Sequence, residues 1–127
     1  MDIAITLPKS LWDKIVSGEK SIELRKTRPY HFDIDFDRVY VVIKGSNDIV
    51  GYFNITDFMG TSPSCLMTCH NWLRKIAVAQ DWISNYIEGA TSVHLWFIGK
   101  VFQFQKPLYR PFTLKLSNNP QGFIYLK

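Results

Sequence analysis

Acidic side chains are missing from the last quarter of this sequence. Residues 100 to 127 carry five basic groups (Lys100, Lys106, Arg110, Lys115 and Lys127) and no Asp or Glu. Residues 1 to 40 are balanced at seven basic and seven acidic, and residues 41 to 99 nearly so at three and four. The formal net charge of +4 therefore sits at the C-terminal end. Such a surplus permits a polyanionic partner without demanding one. Cysteine is scarce as well. Cys65 and Cys69 are too few for a disulfide framework. No apolar run approaches the ~20 residues a membrane-spanning helix requires. Met1-Asp2-Ile3-Ala4 lacks the basic start and apolar stretch of a secretory signal. A cytoplasmic protein with no membrane contact is expected. Phosphate loops, dinucleotide fingerprints and nucleophile elbows are also lacking.

What remains is globular. The chain has 127 residues, 46% of them hydrophobic and 20% charged, and this suits a single domain over residues 1–127. Aromatics reach 15%. Most should fill a core, and some are free to form a stacking surface for bases.

Ile3 to Leu7 reads as a short buried strand ended by Pro8. A helix follows, with Lys9 or Ser10 near its cap and Leu11, Trp12, Ile15 and Val16 on one face. Gly18 stops it. Ser21 to Arg25 alternates polar and apolar residues. That pattern predicts a half-buried strand with Ile22 and Leu24 inward and Ser21, Glu23 and Arg25 on the opposite, concave face. Tyr30 to Asp37 reads as a loop and Val39 to Ile43 as a buried strand. Gly45 to Asp48 is a turn and Ile49 to Phe58 the partner strand, with a loop over 60–64. The apolar spacing predicts one helix from about Ser64 to Ala79 and another from Asp81 to Gly89. Ser92 to Phe104 is a long strand kinked at Gly99. Pro107 and Pro111 bound an extended segment, Asn118-Asn119-Pro120 makes a turn, and Gly122 to Leu126 is the last strand. This order predicts an α+β fold, a small mixed β-barrel of about six strands with two to three flanking helices.

The densest polar cluster runs from Gly18 to Lys26. Its strand puts Glu23 and Arg25 on one face, and Lys20 sits at the turn, where its flexible stem is expected to swing towards them. A cation beside a carboxylate on a concave face suits a polar ring or a phosphate. A plain surface ion pair, worth roughly 0–1 kcal/mol, is the bland alternative. Lys26 and Arg28 extend the basic rim. Tyr30 and His31 follow in a loop from which they can stack on a base.

Gly18-x-Lys20-x-x-Glu23-x-Arg25 resembles the G-x-K-x-x-E-x-R signature of ASCH domains, a branch of the PUA-like superfamily. Val50-Gly51-Tyr52-Phe53 resembles the family's glycine-containing strand. Asn119-Pro120-Gln121-Gly122-Phe123-Ile124-Tyr125-Leu126 resembles its P-P-Q-x-F-x-Y-L ending, with Asn119 in place of the first proline. The resemblance implies a PUA-like barrel with a cleft beside the first helix, and RNA or a nucleotide as partner. The ligand-binding set expected is Lys20, Glu23 and Arg25 from the motif, Ser21 on the same strand face, Lys26, Arg28 and Tyr30 on the adjoining rim and loop, and Asp57, at the end of the glycine-containing strand, as a second acid. One enzymatic group in the family deacetylates N4-acetylcytidine with a lysine, a threonine and a glutamate. Lys20 matches that lysine, while the threonine position is Glu23. A hydrolase of a modified nucleoside or of RNA, with Lys20 and Glu23 catalytic, is therefore the second reading. A regulatory protein-interaction domain whose cleft is vestigial is the third, and Trp72 and Trp82 either present a protein-binding face or anchor two helices on the core. No cofactor is implied. Cys65-x-x-x-Cys69-His70 offers three metal-ligating residues where structural zinc takes four, so no metal is expected. His94, in an apolar strand, reads as structural.

Overall fold

The computed structural model describes residues 1–46, 48–109 and 122–126. Its elements are β1 (Ile3–Leu7), α1 (Lys9–Ser17), β2 (Ile22–Arg25), β3 (Val39–Ile43), β4 (Asp48–Thr61), α2 (Pro63–Thr68), α3 (His70–Ile76), α4 (Gln80–Tyr86), β5 (Val93–Tyr109) and β6 (Phe123–Tyr125). The strands form one mixed sheet in the order β2-β5-β4-β3-β1-β6. β1 and β3 run parallel, joined through α1 and β2, and the other neighbours are antiparallel.

The sheet curls into a half-barrel. Its two end strands approach closely enough for the Arg25 guanidinium on β2 to donate to the Gly122 carbonyl just before β6, at 2.9 Å. Inside the curl, Ile3, Ile5, Val39, Val41, Phe53 and Trp96 form the main core, and α1 seals it with Trp12 and Ile15. A second core lies between β2 and β5 and the helices α2 to α4, built on Ile22, Leu24, Leu95, Leu66, Ile76 and Ile83. The alternation in β2 thus separates two environments. Ile22 and Leu24 pack under the helices, whereas Glu23 stands opposite Trp96 and shares its side of the sheet, within the curl.

Several boundaries differ from the sequence expectation. Four helices occur among the described residues, not two or three, because the stretch from 64 to 79 breaks at Cys69 (φ −97°, ψ 90°) into α2 and α3. Ser62 fixes the start of α2 by accepting the Cys65 N–H, and Ala77 ends α3 in a left-handed conformation (φ 59°). Pro8, and neither Lys9 nor Ser10, is the residue before α1, and no side chain caps it. β4 extends through Gly60 and Thr61, and β5 runs to Tyr109 across Pro107. Both strands absorb bulges, where the β4–β5 register shifts near Val50, Asn54 and Thr56. The expected turn at Asn118-Asn119-Pro120, and Pro111, lie outside the described residues. Among the described residues no helix is long and apolar enough to cross a membrane.

Candidate nucleic-acid interface

Gly18 ends α1 with φ 86°, and the reversal lets the Lys20 N–H donate to the Lys14 carbonyl at 3.0 Å. The Ser21 N–H then reaches the Lys75 carbonyl in α3 at 2.9 Å, and β2 begins. This path turns the Lys20 side chain inward. Its ammonium donates to the carbonyls of Ile22 (2.8 Å) and Ile76 (2.9 Å) and lies 3.3 Å from Glu23 Oε1. The second Glu23 oxygen accepts from Arg25 Nη2 (3.0 Å) and Nε (3.3 Å). Lys20 is 2% exposed and Glu23 4%. The expected mobile Lys20 is therefore a fixed one. All three ammonium protons have acceptors, and two of those acceptors are backbone.

Burial works against both charges. For Lys20 it is the largest influence and lowers the pKa below the ordinary lysine value, with Glu23 offsetting part of the effect. For Glu23 burial alone would raise the pKa, but Arg25 and then Lys20 outweigh it, and the carboxyl titrates below its ordinary value. Lys20, Glu23 and Arg25 thus form a saturated network that fastens α3, β2 and the start of β6. The end of α3 is held a third time by Lys14, which donates to the Ala77 carbonyl at 2.8 Å.

The other candidates lie in different places. Arg28, Tyr30 and Asp57 line an open depression of about 540 Å³ together with His31, Asp33 and Phe58. Arg28 lies over Phe58 (4.5 Å from Cζ to the ring centroid) and over Tyr30 (5.2 Å), and Tyr30 is 73% exposed. The Arg28 Nε–H is buried without a hydrogen-bond partner. Asp57 is exposed and accepts from the Phe58 N–H. Lys26 lies 4.9 Å over Tyr86, which stacks on Trp82 with centroids 5.0 Å apart and planes 13° apart. Ser21 faces elsewhere, into a depression of about 580 Å³ with Gly18, Arg74 and Lys75.

Buried network and open depression are joined by rings. Arg25 lies 5.7 Å over Trp96, and Trp96 meets Phe58 edge-on at 5.8 Å. Trp96 also donates to the Thr27 carbonyl (3.1 Å), holding the strand end from which Arg28 and Tyr30 extend. Nothing in the strand pattern singled out Trp96 or Phe58 for this role. His94 was read as structural, yet its Nδ1 is buried without a partner. Burial first, and the Arg28 charge second, lower its pKa below the ordinary histidine value.

Three solved structures share this architecture. They are an ASCH protein from Zymomonas mobilis and two of its single-substitution variants, serine to alanine and tyrosine to phenylalanine. Their TM-scores are 0.79, 0.81 and 0.80, at 17% identity, covering 99% of this chain and 87–90% of theirs. The fold is the ASCH fold. Neither a family model nor a curated protein sequence matches the chain. The likeness is therefore one of architecture, and the residues from Gly18 to Arg25 stand where α1 turns into β2.

Among the described residues, no three His, Cys, Asp or Glu side chains cluster in a way that would hold a metal. Cys65 is exposed, Cys69 half-buried, and both are free thiols. Elemental analysis of untagged protein should find no stoichiometric zinc. One zinc per chain would contradict this reading of the two cysteines.

Proposed function

We propose that this ASCH-like domain binds single-stranded RNA or nucleotides on the rim around Arg28, Tyr30 and Asp57, with the buried Lys20–Glu23–Arg25 network as its scaffold. The observation that carries the reading is Arg28. Its guanidinium is held over two rings beside an open polar depression, and its Nε–H has no acceptor. The Nε–H itself is covered, so an incoming phosphate or base carbonyl meets the half-buried guanidinium where Arg28 lines the depression. Tyr30 offers a ring for a base, and Asp57 and Asp33 accept from amino or ribose hydroxyl groups. The volume lies in the range of small-ligand sites, roughly 300–1,000 Å³. Lys26, Tyr86 and Trp82 continue the alternation of cation and ring.

The hydrolase reading has less support. A general base must accept a proton and touch the substrate, whereas the Lys20 amine is enclosed and committed to three acceptors. The threonine of the acetylcytidine hydrolases has Glu23 in its place, and Ser21 opens into a different depression.

Fluorescence anisotropy with mononucleotides and short oligoribonucleotides tests the proposal. Tyr30→Ala should weaken binding by roughly 1–3 kcal/mol, the scale of one base stacked on one ring. Arg28→Ala should weaken it too and should flatten its salt dependence, by roughly 0.7 in logarithmic slope for each phosphate no longer neutralised. Unchanged isotherms for both variants would remove the rim as the site. Turnover of acetylated cytidine by the wild-type protein would favour the hydrolase.

A further inference from the structure

The outward face of the sheet carries a row of rings that the rim does not use. Ile124 stands opposite Ala4, Ala4 opposite Tyr40, Tyr40 opposite Tyr52, and Tyr52 opposite Phe102. One rung thus crosses five strands, and residues paired across a ladder share a face. Their chain neighbours Ile3, Ile5, Val39, Val41, Phe53 and Val101 point into the main core, so the rung points away from it. Its aliphatic end gathers Val42, Ile49 and Leu126, and no helical residue among those described joins that cluster. Its aromatic end is ordered. Tyr52 and Phe102 stack with centroids 5.3 Å apart and planes 7° apart, and Tyr40 meets Tyr52 edge-on at 5.6 Å. Phe102 is 54% exposed.

Cations frame these rings. Arg38 lies 4.6 Å over Tyr52 and donates to the Tyr40 hydroxyl at 3.4 Å. Lys100 and Lys106, both exposed, bracket Phe102 and Phe104 along β5, and no acid lies between them.

We infer that Phe102, backed by the half-buried Tyr52 and Tyr40, is a stacking platform for single-stranded nucleic acid, separate from the rim. Each base has a flat face that an exposed ring accepts, and the phosphates between bases need cations of the kind that Arg38, Lys100 and Lys106 supply. A second copy of the chain suits this face less well. A two-fold contact would set the same cations against each other around the rings. An apolar protein partner would bury Arg38 without neutralising it. The inference rests on the RNA reading above, extends it to a longer strand, and can fail while the rim stands.

The test uses the full chain, with a mononucleotide and a fluorescein-labelled oligouridylate long enough to leave the rim. Phe102→Ala should weaken the oligomer about tenfold and leave the mononucleotide unchanged. Phe102→Leu, which keeps apolar area but removes the ring face, should weaken it similarly, and Phe102→Trp should preserve it. Arg28→Ala should weaken both ligands, so failure of the rim is read separately. Oligomer binding unaltered by Phe102→Ala would overturn the platform. Sedimentation showing a wild-type dimer that Phe102→Ala dissociates would assign the face to a second copy instead. A drop in thermal stability in Phe102→Ala with unchanged affinity would mean that the face is covered from within the chain, and would also overturn it.

Discussion

Replacing Glu23 by alanine is expected to destabilise the fold by about 3–5 kcal/mol, the scale for breaking a buried ion pair. Among the described residues Glu23 is the one carboxylate that both Lys20 and Arg25 contact. Without it the Lys20 ammonium stays enclosed with only the Ile22 and Ile76 carbonyls to answer its charge. Arg25, which also holds the Gly122 carbonyl, loses the partner that orients its Nε and Nη2. Glu23→Gln should cost less, because it keeps the shape and one acceptor. Chemical denaturation of the two variants measures the difference. A cost below 1 kcal/mol for Glu23→Ala would mean that the pair behaves like an exposed one.

The same network sets a pH dependence. The Glu23 carboxyl titrates below its ordinary value in the folded chain. Between the native and unfolded pKa values the unfolded state binds more protons, so stability rises with pH there. Its contribution is complete above the unfolded glutamate pKa and is lost as pH falls through the lower native one. Lys20 acts with the same sign in the alkaline range. Its lowered pKa makes the folded chain give up a proton before the unfolded chain does, and stability rises with pH across that window. The acid limb of a stability–pH curve should therefore be shallower in Glu23→Gln than in the wild type.

Gly51→Ala is expected to cost roughly 3 kcal/mol, near the upper end for overpacking a close-packed interior. A Cβ at Gly51 would collide with the Phe102 carbonyl oxygen and stand 2.8 Å from Trp12 Cζ2. Neither can yield cheaply. Phe102 belongs to the β4–β5 ladder, and Trp12 is the large side chain by which α1 seals the barrel. Gly99→Ala is the control. The nearest atom to its Cβ would be the Thr56 methyl at 2.9 Å, the end of an exposed side chain, so a cost of about 1 kcal/mol is expected. Thermal denaturation ranks the pair, and equal costs would show that strand glycine, not the close approach, sets the effect.

The period-2 pattern made β2 legible, and with it the division of Ile22 and Leu24 from Glu23 and Arg25. Gly18 marked the end of α1 for the same local reason, a left-handed residue where the helix stops. The break at Cys69 was not legible, since the apolar spacing of Leu66, Leu73 and Ile76 runs through it without a glycine or proline. The depth of Lys20 was hidden too. It depends on α3 folding back to place the Ile76 carbonyl beside β2, a partner 56 residues away in the chain. Sequence therefore named the charged residues together but could not sort them. Lys20 and Glu23 are enclosed, Arg28 and Tyr30 stand on the rim, and Ser21 opens to another side. Arg28 drew its importance from Phe58, Tyr30 and the depression it lines, and only the curl of the sheet brings Phe58 beneath it.

Whether RNA lies on the Arg28–Tyr30 rim is decided by photo-cross-linking the full chain to a short 4-thiouridine oligoribonucleotide and mapping the adducts by mass spectrometry. Cross-links are expected in the peptide holding Arg28, Tyr30 and His31, competed away by excess nucleotide and much reduced in Arg28→Ala. Absence of any cross-link, or cross-links that never include that peptide, would contradict binding at the rim.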